Sequence, residues 1–154
     1  MSTKIIKHFF TILATAAITL AGAADLVYAD LKDNNNGTIT DTATGLVWLK
    51  NANCFDWERW ERAMNFAAGL SSGACGLSDK STAGQWRLPT IEELKVRATD
   101  KTGFTNVQSF SYWSSTTYTG SPEKALGVLM DRGHAIPCNK FTFYNYVWPV
   151  RAGQ

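Results

Sequence analysis

Apolar positions change their period several times along the chain, and each change marks an element. Thr38-Ile39-Thr40 alternates as a short strand, and the preceding Asn36-Gly37 is the dipeptide of a tight hairpin turn, predicting positive φ at both residues. A second turn at Thr44-Gly45 leads into Leu46-Val47-Trp48-Leu49, an apolar run of the length of a buried strand. From Trp57 the period lengthens. Trp57, Trp60, Met64, Ala67 or Ala68, and Leu70 recur at helical spacing, with Asp56 as the expected cap. Glu58, Arg59, Glu61 and Arg62 fill the other face, where Glu58 and Arg62 form a favourable i,i+4 pair. Gly69 and Ser71-Ser72-Gly73 end this helix, and its Trp-rich stripe reads as core packing against a sheet.

The stretch Gln85 to Val96 carries the densest local signal. Thr90 and Glu93 are spaced as a capping box, in which the hydroxyl accepts the Glu93 N–H and the carboxylate reaches back to the Thr90 N–H. Pro89 biases Leu88 towards an extended conformation, so Trp86-Arg87-Leu88 reads as a strand end feeding a short helix whose Ile91, Leu94 and Val96 face inward. A small-residue loop, 73–84, separates the two helices. A polar segment from Ala98 to Ser111 follows, with Phe104 and Phe110 as its expected anchors. Tyr112 to Tyr118 alternates as a strand with Trp113 inward, and Ala125 to Met130 reads as a central strand. Asp131-Arg132-Gly133 is a further turn. Tyr146 to Val150 closes the domain, and Pro149 argues for an edge position or a bulge. The sum is an α+β domain: two helices on twisted, largely antiparallel strands, with the late strands pairing with the opening hairpin.

The first 29 residues change the expected address. Lys4 and Lys7 precede an apolar run from Phe9 to Leu20, and small residues follow, as in a secretory leader. The run is too short to span a bilayer comfortably. Cleavage after Ala23 or after Ala29 satisfies the small-x-small rule, and the second is preferred, leaving residues 30–154 as one domain with no membrane span. From residue 30 on, 13 cations face 12 carboxylates, so no overall field draws the domain to nucleic acid. Export makes oxidation the default for Cys54, Cys75 and Cys138. Three pairings are open to them on the sequence alone.

Four motifs in order then resemble one family. They are Asn36 to Trp48; Trp86-Arg87-Leu88-Pro89-Thr90 with Glu92-Glu93-Leu94; Tyr112-Trp113-Ser114-Ser115-Thr116; and Tyr146-Val147-Trp148-Pro149-Val150-Arg151. Together they are similar to the C-terminal domain of the Legionella collagen-like protein, a family catalogued largely as a domain of unknown function. The resemblance implies a C-type-lectin-like fold and a secreted or surface-exposed binding module, in some members one that binds sulfated glycans. It also implies a Cys54–Cys75 disulfide, with Cys138 left over.

Candidate chemistry is sparse. Aligning Gly37 with the glycine of a calcium loop puts Lys32 at the first ligand position and Ala43 at the twelfth, so the metal reading fails. His134 and Cys138 lie four residues apart on an expected loop without a third, orienting group, a weak basis for a nucleophile. Formylglycine-generating enzymes, which share the broad lectin-like architecture, use paired late cysteines, and only Cys138 stands late here. The sugar-binding motifs of calcium lectins are missing from the sequence. What remains is the segment Asp131 to Tyr146. There Arg132, His134, Lys140, Phe141, Phe143 and Tyr144 combine rings that stack on sugars or proteins with cations that pair with sulfate or carboxylate. Alternate positions at Phe141, Phe143 and Asn145 fit an inward strand face equally well. The expectation is a non-enzymatic binder of a glycan or a protein, without metal or organic cofactor, or else an assembly subunit that forms homo-oligomers.

Overall fold

The computed structural model describes residues 30–153; the expected leader lies outside them. The described residues form an α+β domain of two sheets and two helices. Strands β1 (Leu31–Asp33), β2 (Thr38–Asp41), β3 (Leu46–Leu49) and β9 (Val150–Ala152) make an antiparallel four-stranded sheet in the order β1-β2-β3-β9. The closing strand thus pairs with the opening hairpin, Trp48 opposite Val150. Strands β4 (Trp57–Glu58), β5 (Ser111–Thr117), β6 (Lys124–Leu129), β7 (His134–Asn139) and β8 (Asn145–Tyr146) make the second sheet, ordered β4-β8-β5-β6-β7. All its pairings are antiparallel except β5 with β8.

Pleating sends successive side chains to opposite faces, and the two helices exploit this. Tyr112 and Val128 join Ile91, Leu94 and Ala98 of helix α2 (Ile91–Thr99) in the main core, with Trp48, Trp86 and Trp148. Trp113, Ala125 and Cys138 join Ala63 and Ala67 of helix α1 (Trp60–Gly69) in a second cluster. Three of the four fully buried indoles have partners for their N–H groups, Trp48 being the exception. Trp148 donates to the Leu49 carbonyl at 2.8 Å, Trp86 to Ser81 Oγ at 2.9 Å and Trp113 to the Glu58 carbonyl at 2.7 Å. The last of these ties β4 to the sheet. The capping box of α2 forms as expected, and Arg87 adds a two-pronged bond to Glu93 at 2.8 Å on each prong.

Several expectations change. In the first hairpin the positive φ values fall on Asn35 (54°) and Gly37 (84°), because Asn36 turns its carboxamide back to accept from the Thr38 N–H and hydroxyl. A methyl group at Gly37 would stand 2.3 Å from the Gly76 carbonyl oxygen, so this glycine also admits the loop tied down by the Cys54–Cys75 disulfide. Asp56 does not cap α1. It takes a left-handed conformation, φ 59°, and Arg59 is the N-cap without a side-chain bond. Residues 57 and 58 therefore form a strand, and Trp57 points outward. On α2, Val96 is exposed and Arg97 is buried in its place, bonded to Asp41 of β2. Phe104 packs edge-on against Trp148, but Phe110 is 68% exposed. Residues 134–139 form an edge strand rather than a loop, with Pro137 inside it, a residue tolerated there because the outer edge needs no donor.

Candidate functional site

Strand β8 is only two residues long, and the segment before it, 140–144, turns over the end of the second sheet. Asn139 starts that turn by accepting the N–H groups of Phe141 and Thr142. The rings that follow have no strand to alternate on and stay outside: Phe141, Phe143 and Tyr144 are all exposed. The inward-face alternative for Phe141 and Phe143 is thereby excluded.

These rings divide between two hollows. Phe143 and Tyr144 line the larger, about 360 Å³, together with Trp57, Phe110, Leu129, Ile136 and Tyr146, over a floor that includes Ser111 and Asn145. Trp57 reaches it through the β4–β8 ladder, where it pairs with Tyr146, the ring centroids 6.4 Å apart and nearly parallel. Tyr144 lies 6.3 Å from Trp57 on the other side, and Phe110 lies 6.5 Å from Tyr146. Phe141 and Lys140 line the smaller hollow, about 250 Å³, with Arg59, Glu61 and Arg62. The Arg59 guanidinium joins the two by standing 5.3 Å from the Tyr144 ring centroid, within cation–π range.

The six residues singled out in the sequence do not all converge. Lys140 is engaged within the chain: its ammonium donates to Thr117 Oγ1 at 2.9 Å and to the Pro122 carbonyl at 3.0 Å, 4.3 Å from the Trp60 ring centroid. Arg132 sits on the β6–β7 turn, its guanidinium 3.3 Å from Asp131, and lines neither hollow. His134 opens β7 opposite Leu129, exposed and likewise outside both linings. An extended strand also separates His134 from Cys138 by about 13 Å over four residues, so they cannot form a nucleophile and base pair.

Sequence reasoning missed Trp57, Phe110 and Ser111 as lining residues and read Asn145 only as an inward-facing position, where it is indeed buried. Ser111 is 8% exposed and Asn145 5%, yet Ser111 Oγ and Asn145 Nδ2 have no hydrogen-bond partner in the protein. Both crowd against Gly127, where an added methyl group would stand 2.6 Å from Ser111 Oγ and 3.2 Å from Asn145 Nδ2. Cys138, the free cysteine, is buried beside them. Burial pushes its thiol up, and the Asn145 and Ser111 side chains pull it part of the way back without forming a bond of ordinary geometry. A buried polar atom left without a partner costs about 1–3 kcal/mol, and the polar group nearest to these two is the Cys138 thiol.

The motif order, the hairpin closed by the last strand and the bridged loop all accord with one comparison. The profile of the Lcl C-terminal domain family matches residues 37–151. The chain belongs to this family. As an Lcl C-terminal domain it carries the Cys54–Cys75 disulfide across α1, and among its described residues no helix is long and apolar enough to cross a membrane. No curated protein matches the chain.

Proposed function

We propose that this Lcl C-terminal domain is an exported, non-enzymatic binding module with a C-type-lectin-like arrangement, whose aromatic hollow recognises a glycan at the periplasmic or outer cell surface. One observation carries the reading: five rings from three separate segments, Trp57, Phe110, Phe143, Tyr144 and Tyr146, surround a single hollow. Exposed rings scattered singly are ordinary surface, whereas rings gathered around a concavity mark recognition. Arg59 and Arg62 line the smaller hollow beside it, and Arg59 stands against Tyr144, so a sulfated chain lying across both hollows would meet cations. The leader-like first residues and the disulfide support export.

A glycan array probed with the mature domain at low and at moderate salt tests the proposal. Binding is expected to a subset of glycans and to fall at least tenfold in Trp57→Ala or Tyr144→Ala with the melting temperature unchanged. Steep weakening with salt would indicate a sulfated ligand. An empty array at low salt would overturn the glycan reading. The same rings also suit self-association or a protein partner. Concentration-dependent dimers by light scattering, abolished by Trp57→Ala, would favour the assembly subunit instead.

A further inference from the structure

The larger hollow withholds what most polar ligands need. None of the residues lining it is charged, and its aliphatic walls are Leu129 and Ile136. The unpartnered Ser111 Oγ and Asn145 Nδ2 have no accessible surface, so they offer a ligand no hydrogen bond. A group that enters must draw its affinity from ring faces. Those faces are available: Trp57, Phe110, Phe143 and Tyr144 are exposed, and neighbouring centroids lie 6.3–6.5 Å apart, at the loose end of ring packing. Ring faces carry the negative end of the quadrupole and attract cations. A primary ammonium or a guanidinium would give up hydrogen bonds to water here without replacement. A quaternary ammonium has none to give up, and its methyl groups suit the aliphatic walls.

The smaller hollow supplies the opposite requirement. Arg62 is tied to Glu58 at 3.0 Å, and Lys140 donates to Thr117 and Pro122. Among the described residues Arg59 has no carboxylate within ion-pair reach. Its guanidinium stands 5.3 Å from the centroid of Tyr144, a ring that also lines the larger hollow. From there it repels a lone cation among the rings but attracts an anion tethered to one. The two hollows together therefore fit a zwitterion, positive at the rings and negative at Arg59. We propose that they take phosphocholine, the trimethylammonium in the aromatic hollow and the phosphate on Arg59, carried as a substituent of the surface glycan. This deepens the glycan reading above and rests on it for the carrier of the group.

Titration of the mature protein with phosphocholine, observing the Trp57 indole N–H resonance, tests the assignment. Phosphocholine should move that resonance, and its neutral carbon isostere, dimethylbutyl phosphate, should bind about fivefold or more weakly. Trp57→Ala should weaken phosphocholine and choline alike. Arg59 is exposed and makes no side-chain bond as the helix cap, so Arg59→Ala should keep the melting temperature. It should weaken phosphocholine several-fold without weakening choline. Equal binding of phosphocholine and the neutral isostere would overturn the assignment, as would an Arg59→Ala protein that binds phosphocholine undiminished. A glycan bearing phosphocholine should bind more tightly than the same glycan without it. Binding of bare glycans with no response to phosphocholine would overturn the assignment and keep the glycan reading. Capture on phosphatidylcholine vesicles, with no gain from phosphocholine on a glycan, would keep the zwitterion site and overturn the glycan reading.

Discussion

Arg97 Nη2 lies 2.9 Å from Asp41 Oδ2, and both side chains are buried, 56 residues apart in the chain. This pair joins α2 to the hairpin of the other sheet. The guanidinium also lies between Trp48 and Phe104, 5.5 and 5.8 Å from their centroids, while Asp41 Oδ1 accepts the N–H groups of Ala43 and Thr44 in the β2–β3 turn. Burial lowers the Arg97 pKa against the pull of Asp41 and Asp100. Removing the cation alone leaves a buried carboxylate without its counter-ion. Arg97→Met should therefore cost about 3–5 kcal/mol in urea unfolding. The double variant Arg97→Met with Asp41→Asn should lose less than the sum of the single changes. A single-variant loss below about 1 kcal/mol would refute the role assigned to the pair.

Acid should weaken the fold in a defined window. The Arg87 bond holds the Glu93 carboxyl below its ordinary value despite partial burial. Asp79 is also held low: burial opposes this, but Ser81 and Arg151 outweigh it. Groups whose folded pKa is depressed contribute fully above the unfolded value and lose that contribution as pH falls through the folded one. Thermal stability should be flat from neutral pH to about pH 5 and should decline below about pH 4. Glu93→Gln should shallow that decline; an unchanged slope would show that the capping box does not set it.

The disulfide closes a loop with a sequence separation of 21 between Cys54 and Cys75. Reduction, or Cys54→Ser with Cys75→Ser, should cost about 3 kcal/mol on the chain-entropy account. Denaturant midpoints with and without reductant measure this. Identical midpoints would mean that the loop's ordering comes from elsewhere, above all from the Gly37 approach.

Cys138 should behave as a silent thiol. It is 1% exposed, and burial pushes its pKa up, so little thiolate forms at neutral pH. Titration with an aromatic disulfide reagent should detect no thiol in the native protein and one per chain after unfolding. Prompt native labelling would contradict the packing around Gly127.

Much of the scaffold was written in local chemistry. Thr90 and Glu93 announce a helix start because both partners lie within four residues, and Trp86, Trp113 and Trp148 are large enough that burial is their default. The inward stripe of α1 was read too long because one residue, Asp56, adopts a left-handed φ and turns Trp57 out of register. No period can be read from a two-residue strand, so β4 and β8 left no trace in the pattern, and the aromatic cluster that depends on them was seen only in its later half. Arg97 was missed for a different reason. Its burial is made tolerable by Asp41, a residue that no local pattern connects to it.

The edge strand β7 carries a last implication. Its outer backbone is unpaired in the sheet, and Pro137 interrupts the row of donors it would otherwise present. Copies of the domain are accordingly poorly templated to stack edge to edge along this strand. Replacing that imino acid with valine would trade the safeguard for an uninterrupted row of donors and invite fibrous growth from this flank.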